Sequence, residues 1–221
     1  MKTNAELQKN VQDAIAWEPL LHAAEIGVTA KDGIVSLTGI VDSYAKKVEA
    51  ENAAKKVIGV KVLVENIKVK FPNSTSKTDI EVADEIVKAF KSNALIPENM
   101  IKVIVEDGQV TLEGEMQWDY QREMTKNAIH YLPGVKAIIN NIKIKSEIHD
   151  AIKQKDVENA MKMNWVVYDS DIHIKVSGTT VTLTGTVNSW HQKEEAGRIA
   201  WKTPGIQHVE NNLFVDYEYS K

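Results

Sequence analysis

The sequence predicts an α+β protein made of three tandem α-β-β-α-β modules, each a small mixed sheet with two helices on one face. One observation is a segment that occurs three times: DGIVSLTGIVDSYAKK at residues 32–47, DGQVTLEGEMQWDYQR at 107–122 and SGTTVTLTGTVNSWHQK at 177–193. Another is the alternation of apolar and polar side chains on both sides of the turn in each copy, which is typical of a β-hairpin. A repeat of this kind indicates a modular architecture.

The spacing of key residues is the same in all three copies. A valine lies on the second strand of the hairpin, a glycine follows four residues later, and a second glycine follows twenty residues after the first. The aligned triplets are Val35, Val110 and Val181, then Gly39, Gly114 and Gly185, then Gly59, Gly134 and Gly205. Because the valines are 75 and 71 residues apart, each repeat is a small domain. We expect the three valines to occupy equivalent buried positions.

The elements of each module follow in order from its local signals. A first helix is predicted over residues 5–16, 80–91 and about 150–162. The hairpin turn is Asp-Gly in the first two modules and Ser-Gly-Thr in the third, and glycine accepts the positive φ that such a turn requires. A second helix begins after Asp42-Ser43, Gln117-Trp118-Asp119 or Asn188-Ser189 and ends at the second glycine of the repeat. The third strand reads VENIKVK, INNIKIK or ENNLFVD.

The second helix of each module carries a stripe of small and apolar residues that is expected to lie close on the sheet. The stripes are Ala50, Ala53, Ala54 and Val57, then Thr125, Ala128, Ile129 and Leu132, then Ala196, Ile199, Ala200 and Thr203. The opposite face of the sheet carries polar side chains such as Ser36, Thr38 and Lys68, and is expected to face water. An asparagine of the last strand, Asn66, Asn141 or Asn212, is expected to bond local backbone.

The module boundaries follow from composition. The first module spans residues 1–70, a polar linker FPNSTSKT spans 71–78, the second module spans 79–145 and the third spans 146–221. The connection between the second and third modules, KSEIHD at residues 145–150, is shorter, so these two are expected to be more tightly coupled than the first and second modules.

Composition excludes several functional classes. The chain has no cysteine, which excludes disulfides, thiolate nucleophiles and cysteine zinc sites. The net charge is −4 with both signs mixed, so there is no overall basic surface for nucleic acid. The N-terminal segment has no continuous apolar stretch of a secretory signal. As printed, the sequence therefore predicts a cytoplasmic protein, and the periplasm is the expected location if a signal has been removed.

The segment IGVTAKDGIVSLTGIVDSYAKKVEAENAAKKVIGVKVLVENIKV resembles a BON domain, the module of bacterial osmotic-stress and nodulation proteins. The features that match are the Asp-Gly turn, the Leu-Thr-Gly strand end, the alanine-rich helix, the Gly-Val pair and the Val-x-Asn-x-Ile-x-Val strand. The resemblance covers nearly the whole chain as three copies. It implies a non-enzymatic, stress-associated protein of the cell envelope that interacts with phospholipid membranes, and it implies no cofactor.

No catalytic or metal motif stands out in the chain. There is no phosphate-binding loop, no nucleophile elbow and no dinucleotide fingerprint. Six histidines are present, none with a partner at i+4 and a carboxylate between, so no metal site is predicted: His22, His130, His149, His173, His191 and His208. The Asp-Gly pairs are interpreted as turns. The sequence therefore predicts no enzymatic activity.

One constellation suggests a binding site. At the start of the second helix each module places aromatic and basic residues together, where free backbone N–H groups favour an anion and aromatics with a polar tip suit a membrane interface. The candidate residues for a lipid head group are Tyr44, Lys46, Lys47, Lys55, Lys56, Trp118, Tyr120, Arg122, Trp190 and Lys193. The alternative is that each aromatic packs on its own helix and each base pairs with a nearby glutamate.

Two functions therefore stay open. The first is a non-enzymatic stress-associated binding or adaptor protein that contacts anionic phospholipid membranes, mainly through the first module, which has ten basic and nine acidic residues in positions 1–70. The second is a protein–protein scaffold with no lipid contact. The partner is accordingly an anionic membrane surface or another protein, and no nucleic acid is expected.

Overall fold

The computed structural model describes residues 3–21, 25–72, 77–145, 154–168 and 170–216. Its helices are α1 Asn4–Ala16, α2 Tyr44–Lys55, α3 Asp79–Lys91, α4 Asp119–Ile129, α5 Gln154–Lys162 and α6 Trp190–Trp201. Its strands are β1 Ile26–Lys31, β2 Ile34–Val41, β3 Val62–Val69, β4 Ile101–Glu106, β5 Gln109–Met116, β6 Ala137–Ile144, β7 Asp171–Ser177, β8 Thr180–Val187, β9 His208–Asn211 and β10 Phe214–Val215. The order α-β-β-α-β therefore occurs three times, which confirms the predicted fold class.

Each module builds its own sheet with the second strand of the hairpin in the centre. The strand orders are β1-β2-β3 and β4-β5-β6, and in the third module β8 pairs with β7, β9 and β10. The hairpins are antiparallel, while β6 runs parallel to β5, and β9 and β10 run parallel to β8. The sheets are therefore mixed, as the helical crossover requires.

The hairpins deliver the repeated residues to equivalent core positions. Val35, Val110 and Val181 all have no solvent exposure. The leucines two residues further along, at 37, 112 and 183, are equally buried. On α2 the small stripe Ala50, Ala53 and Ala54 is also fully buried, which allows the helix to approach the sheet closely. The period-two pattern thus predicted the strand positions of the core correctly. The last residues of the predicted helical stripes, Val57, Leu132 and Thr203, instead lie beyond the helix ends and are half-buried, so the predicted helices were too long.

A capping box fixes the start of the first helix in two of the modules. The Thr3 hydroxyl accepts a hydrogen bond from the Glu6 backbone N–H at 3.2 Å, and the Glu6 carboxylate accepts one from the Thr3 N–H at 2.8 Å. Thr78 and Glu81 repeat the arrangement ahead of α3. These reciprocal bonds satisfy backbone donors that a helix leaves unpaired at its start.

The first residue of the same helix also holds the hairpin turn. Asp79 accepts hydrogen bonds from the backbone N–H groups of Asp107 and Gly108, both at 2.8 Å. In the first module Asn4 accepts from the Asp32 N–H at 2.8 Å. Asp107 and Gly108 have φ of 51° and 77°, which is the type I′ arrangement of two positive φ values. The helix start therefore stabilises the turn of its own module.

The third module departs from the pattern at two places. Its turn has a positive φ at Gly178 without an aspartate in the left-handed region. Its last strand is divided into β9 and β10, so that Asn212 and Leu213 lie outside the strands.

The first module differs from the prediction on the sheet face that was expected to be polar. Exposed apolar side chains share this face with the polar ones: Ile34, Ile40, Val62 and Val64.

The chain forms two compact units. One consists of Met1–Ile40, Lys46–Lys68 and Ala151–Lys221, and the other of Val41–Ala45 and Val69–Asp150. Most of the first module therefore shares a unit with the third. Whether the second module is coupled more tightly to the third than to the first stays a prediction. Of the predicted linker 71–78, residues 73–76 lie outside the described residues.

Candidate functional site

The candidate residues divide between the two units. The lysines of α2 together with Trp190 and Lys193 belong to the unit that joins the first and third modules. Tyr44, Trp118, Tyr120 and Arg122 belong to the other unit. Most of these side chains are half-buried, and only Lys56 and Tyr120 are exposed.

The basic residue of the constellation sits at one repeated position, twelve residues before the glycine that follows the helix. In the first module the residue is Lys47, whose ammonium lies 2.7 Å from the Glu65 carboxylate on β3. In the second module the backbone oxygen of Arg122 accepts a hydrogen bond from the Asn140 amide at 3.3 Å. The position therefore ties the second helix to the third strand.

The third module repeats the amide bond of the second module and adds a bond from the lysine side chain. The Asn211 amide donates to the backbone oxygen of Lys193 at 2.6 Å, and the Lys193 ammonium donates to the Leu213 oxygen at 2.8 Å. Lys193 also lies over the Trp190 ring, 5.8 Å from its centroid. The lysine is thus bound to its own module at both ends.

The residues that bond local backbone on the last strand are not the asparagines that were predicted. Asn140 accepts from the Ile142 N–H at 3.2 Å, and Asn211 accepts from the Leu213 N–H at 3.4 Å. In the first module Glu65 takes this place and accepts from the Ile67 N–H. Each lies one residue before the predicted Asn66, Asn141 or Asn212, so this interpretation was wrong by one position.

The aromatic residues each have a different environment. Tyr44 lies edge-on to His130 with ring centroids 5.4 Å apart, within one compact unit. Trp118 stacks on Tyr120 at 6.4 Å. The Trp190 indole donates a hydrogen bond to the backbone oxygen of Lys61 at 3.2 Å. An indole N–H that is already satisfied within the chain is not available to a ligand without breaking that bond.

Trp190 and Lys55 form a contact between the first and third modules. The Lys55 ammonium lies 2.7 Å from the Glu194 carboxylate of α6. One residue beyond the end of α2, the Lys56 ammonium pairs with Glu18 at 3.0 Å. Lys46 also has an interaction partner within the chain. The lysine-rich surface of α2 therefore faces carboxylates of its own chain.

In the second module the basic residue is neutralised by an acidic residue of the same helix. Arg122 forms an ion pair with Asp119, whose side chain is almost fully buried at the first position of α4. A negative charge at the start of a helix is favourable in itself, and the arginine offsets the cost of burying it. This ion pair resembles the alternative interpretation of the sequence, in which each basic residue pairs with a nearby glutamate, except that the acid here is an aspartate.

The Glu51 carboxyl group on α2 is influenced by the charges of two other carboxylates, Glu65 and Glu194. Burial is the main cause that raises the pKa of Glu51 above its ordinary value of 4.5, and the carboxylates of Glu65 and Glu194 raise it further. Lys55 and Lys47 act in the opposite direction. The ionised form of Glu51 is therefore disfavoured in the folded chain, mainly because the carboxyl group is partly buried.

We expect Glu51→Gln to raise the thermal midpoint at pH 7. Because the folded-state pKa of Glu51 lies above its unfolded value, the ionised carboxylate lowers stability, and this loss is absent below the unfolded value and develops as pH rises through the folded one. The gain should not exceed about 2–4 °C, since a half-exposed charge is screened by water and is worth at most about 1 kcal/mol. Thermal scans at pH 7 and pH 4 measure it.

The control is Glu49→Gln, which removes a carboxylate from the same helix. It should leave the midpoint at pH 7 within about 1 °C of the parent, as surface changes usually do. An equal midpoint for Glu51→Gln and the parent at pH 7, or an equal gain at pH 4 and pH 7, would contradict the electrostatic account.

The four histidines that the structure describes do not gather into a metal site. Within the described parts of the chain, no group of three or more histidine, aspartate or glutamate side chains could hold a metal ion. His22 and His149 lie outside the described residues. Burial, aided by Lys126, lowers the pKa of His130 below its ordinary value. His130 is therefore neutral at physiological pH and suited to its aromatic contacts with Tyr44 and Tyr131.

Comparison with known families decides the identity of the modules. The family model of the BON domain matches residues 3–70, 78–146 and 149–217. The chain belongs to the BON domain family. The three BON copies together account for nearly the whole sequence, in agreement with the resemblance seen in the repeated segments.

Similarity to individual proteins was found in both sequence and structure comparisons. Osmotically-inducible protein Y of Escherichia coli (strain K12) is 25% identical over 146 residues, which cover 64% of this chain and 73% of that protein. Among solved structures, the C-terminal domain of CdsD, a structural protein of the type III secretion system of Chlamydia trachomatis, is 15% identical with a TM-score of 0.26 and covers 97% of this chain and 100% of its own. The PrgH periplasmic domain is 9% identical with a TM-score of 0.21, and the match covers 87% of this chain and 95% of that domain.

None of the helices in the described ranges is both long and apolar enough to cross a membrane.

Proposed function

We propose that this BON protein is a non-enzymatic, stress-associated adaptor that binds other proteins. Its relative of 25% identity is an osmotically-inducible protein, which supports the association with stress. The BON assignment of all three modules supports a binding role without catalysis.

The observation that carries the protein-binding role is the contact between the first and third copies. The start of α6 binds the end of the first module through an indole hydrogen bond to Lys61 and an ion pair between Lys55 and Glu194. Such a surface, with a tryptophan anchor and a flanking charge pair, has the composition of a protein–protein interface. The copies of this module therefore serve as docking units for polypeptide surfaces.

Lipid contact is the second candidate, and it is favoured by the four lysines on or directly after α2: Lys46, Lys47, Lys55 and Lys56. Each lysine near an anionic surface contributes about 1 kcal/mol, and salt screens that attraction. Three of the four are paired with glutamates, however, so binding a membrane through them would first require these ion pairs to open. We therefore place the membrane role second.

Vesicle co-sedimentation separates the two functions. We expect the chain to stay in the supernatant with neutral and with anionic phosphatidylglycerol vesicles at about 150 mM salt, because a Debye length of about 8 Å leaves little long-range attraction for a protein of net charge −4. In parallel, the chain should bind an immobilised library of fifteen-residue peptides under the same conditions.

Two variants with the same change of charge sharpen the result. One replaces Lys46, Lys47, Lys55 and Lys56 by glutamine, and the control replaces Lys68, Lys91, Lys143 and Lys175 by glutamine. If the parent binds anionic vesicles and only the α2 variant loses that binding, the membrane role is correct and the protein-binding proposal is wrong.

A further inference from the structure

The third module contains an open cavity of about 450 Å³ between α5 and the end of α6. Asp156 and Met163 line it from the α5 side, and Ile199 with Lys202 line it from the α6 side. Trp165 and Pro204 complete the wall. The volume and the mixture of apolar wall with a few charged groups are those of ligand sites in proteins.

The apolar part of this wall is exposed to an unusual degree. The side chains of Met163 and Trp165 are 88% and 87% exposed. Tryptophan is enriched among the residues that contribute most to protein interfaces, and methionine adapts its shape to different partners. A partner that covers both side chains would remove a large apolar area from water.

Comparison with the first module identifies a negative charge that is missing next to the cavity of the third module. Lys202 of the third module is the positional equivalent of Lys56 in the first, since each lies three residues before the glycine that follows the helix. Lys56 is neutralised by Glu18, which lies in the segment after the first helix. The equivalent of Glu18 in the third module is Asn164, which carries no charge.

Asn164 is also engaged elsewhere. Its amide donates to the Glu195 carboxylate at 2.9 Å, and its oxygen accepts from the Val166 N–H at 3.0 Å. Among the described residues, no carboxylate forms an ion pair with Lys202. The third module therefore presents, at its cavity, a cation whose counterpart in the first module has an internal carboxylate.

We propose that this cavity binds a peptide segment of another protein that places an apolar side chain against Trp165 and Met163 and a carboxylate beside Lys202. The exposed apolar wall supplies the contact area, and the Lys202 ammonium, which no carboxylate of the described ranges pairs with, supplies the preference for an acidic residue. Asp156 on the same wall opposes a second negative charge, so a single carboxylate fits better than a polyanion. This site deepens the proposed protein-binding function and rests on it.

A titration of the full ¹⁵N-labelled chain tests the proposal. The probe is the acetylated and amidated peptide Ala-Trp-Glu-Leu-Ala, with Gln or Lys in place of Glu as comparison peptides. We expect shifts confined to residues 156–168 and 199–204, and binding about five- to tenfold weaker for the Gln peptide, the change that one charge pair of about a kilocalorie per mole produces. The Lys peptide should bind more weakly still.

Substitutions of two exposed residues of the cavity, Trp165 and Lys202, are expected to remove the binding site without disturbing the fold. Trp165→Ala should abolish the shifts, and Lys202→Glu should reverse the preference so that the Lys peptide binds better than the Glu peptide. The controls are Trp17→Ala, a tryptophan of similar exposure in the first module, and Lys175→Glu, an exposed lysine on β7. Both controls should bind the Glu peptide like the parent.

Three outcomes would overturn the proposal: equal binding of the Glu and Gln peptides, shifts outside the cavity, or no shift at millimolar peptide. If the chain still binds the immobilised peptide library while Trp165→Ala and Lys202→Glu bind it equally well, the cavity assignment fails and the protein-binding function stands. If vesicles bind the chain and Trp165→Ala abolishes that binding, both fail in favour of membrane contact.

Discussion

Gly185→Ala is expected to destabilise the third module by about 2–6 kcal/mol, the combined range for backbone strain and overpacking. Gly185 lies on β8 opposite Ile172, with φ of 115°. A Cβ at this position would lie 1.9 Å from the backbone oxygen of Asp171 and 3.0 Å from its carbonyl carbon. Because backbone atoms cause the clash, no side-chain rotation can relieve it, and the hairpin must open.

Gly178→Ala in the same module is the matched control. Gly178 also has a positive φ, 58°, but a Cβ there would meet nothing within 4 Å. Its cost should be limited to that of a left-handed alanine, about 1–2 kcal/mol. Thermal unfolding should show a fall in midpoint of about 10 °C for Gly185→Ala and a few degrees for Gly178→Ala. Equal midpoints would show that the close approach of the two strands does not matter.

Asp79→Ala is expected to have the second largest effect, a loss of about 2–3 kcal/mol. The carboxylate accepts two charge-assisted hydrogen bonds, from the N–H groups of Asp107 and Gly108, and each is worth about 1.5–3 kcal/mol before relaxation and access of water. The loss would leave a half-buried Gly108 N–H without its partner. Urea denaturation of the full chain measures the free energy, and amide exchange at Gly108 should accelerate.

The first module supplies the control for this prediction. Asn4 holds the equivalent position with a neutral amide and one hydrogen bond, to the Asp32 N–H. Asn4→Ala should therefore cost about 1 kcal/mol, the average for a neutral bond. A larger loss for Asn4→Ala than for Asp79→Ala would refute the idea that the helix start stabilises the turn through charge.

The repeated core could be predicted from the sequence because its signals are local. Val35, Val110 and Val181 stand in strands whose alternation is visible within a few residues, and all three are buried as expected. The capping boxes at Thr3 and Thr78 could have been found in the same way, since Thr-x-x-Glu ahead of a helix is a recognised signal. Local pattern thus determines both the elements and their starts.

The candidate site was only partly predictable because its contacts depend on register and on distant partners. Lys47 and Glu65 are joined across a helix and a strand, and nothing in either segment alone identifies the pair. The off-by-one error at the last strand has the same origin: Asn140 and Asn141 are adjacent, and only the register with α4 shows which amide reaches Arg122. The partner of Lys55 is 139 positions away, beyond any local pattern.

The contact between the first and third modules also implies a delay during synthesis, because the first module is made well before its contact partner. Trp190 follows Lys61 by 129 positions. At about 5–20 residues per second, the ribosome needs roughly 6–26 s to make the intervening chain. During that time the nascent first module must remain folded with its partner surface in water. A translation pause within the second module would lengthen this exposure, and the newborn first module would be open to capture by other polypeptides before its own third module arrives.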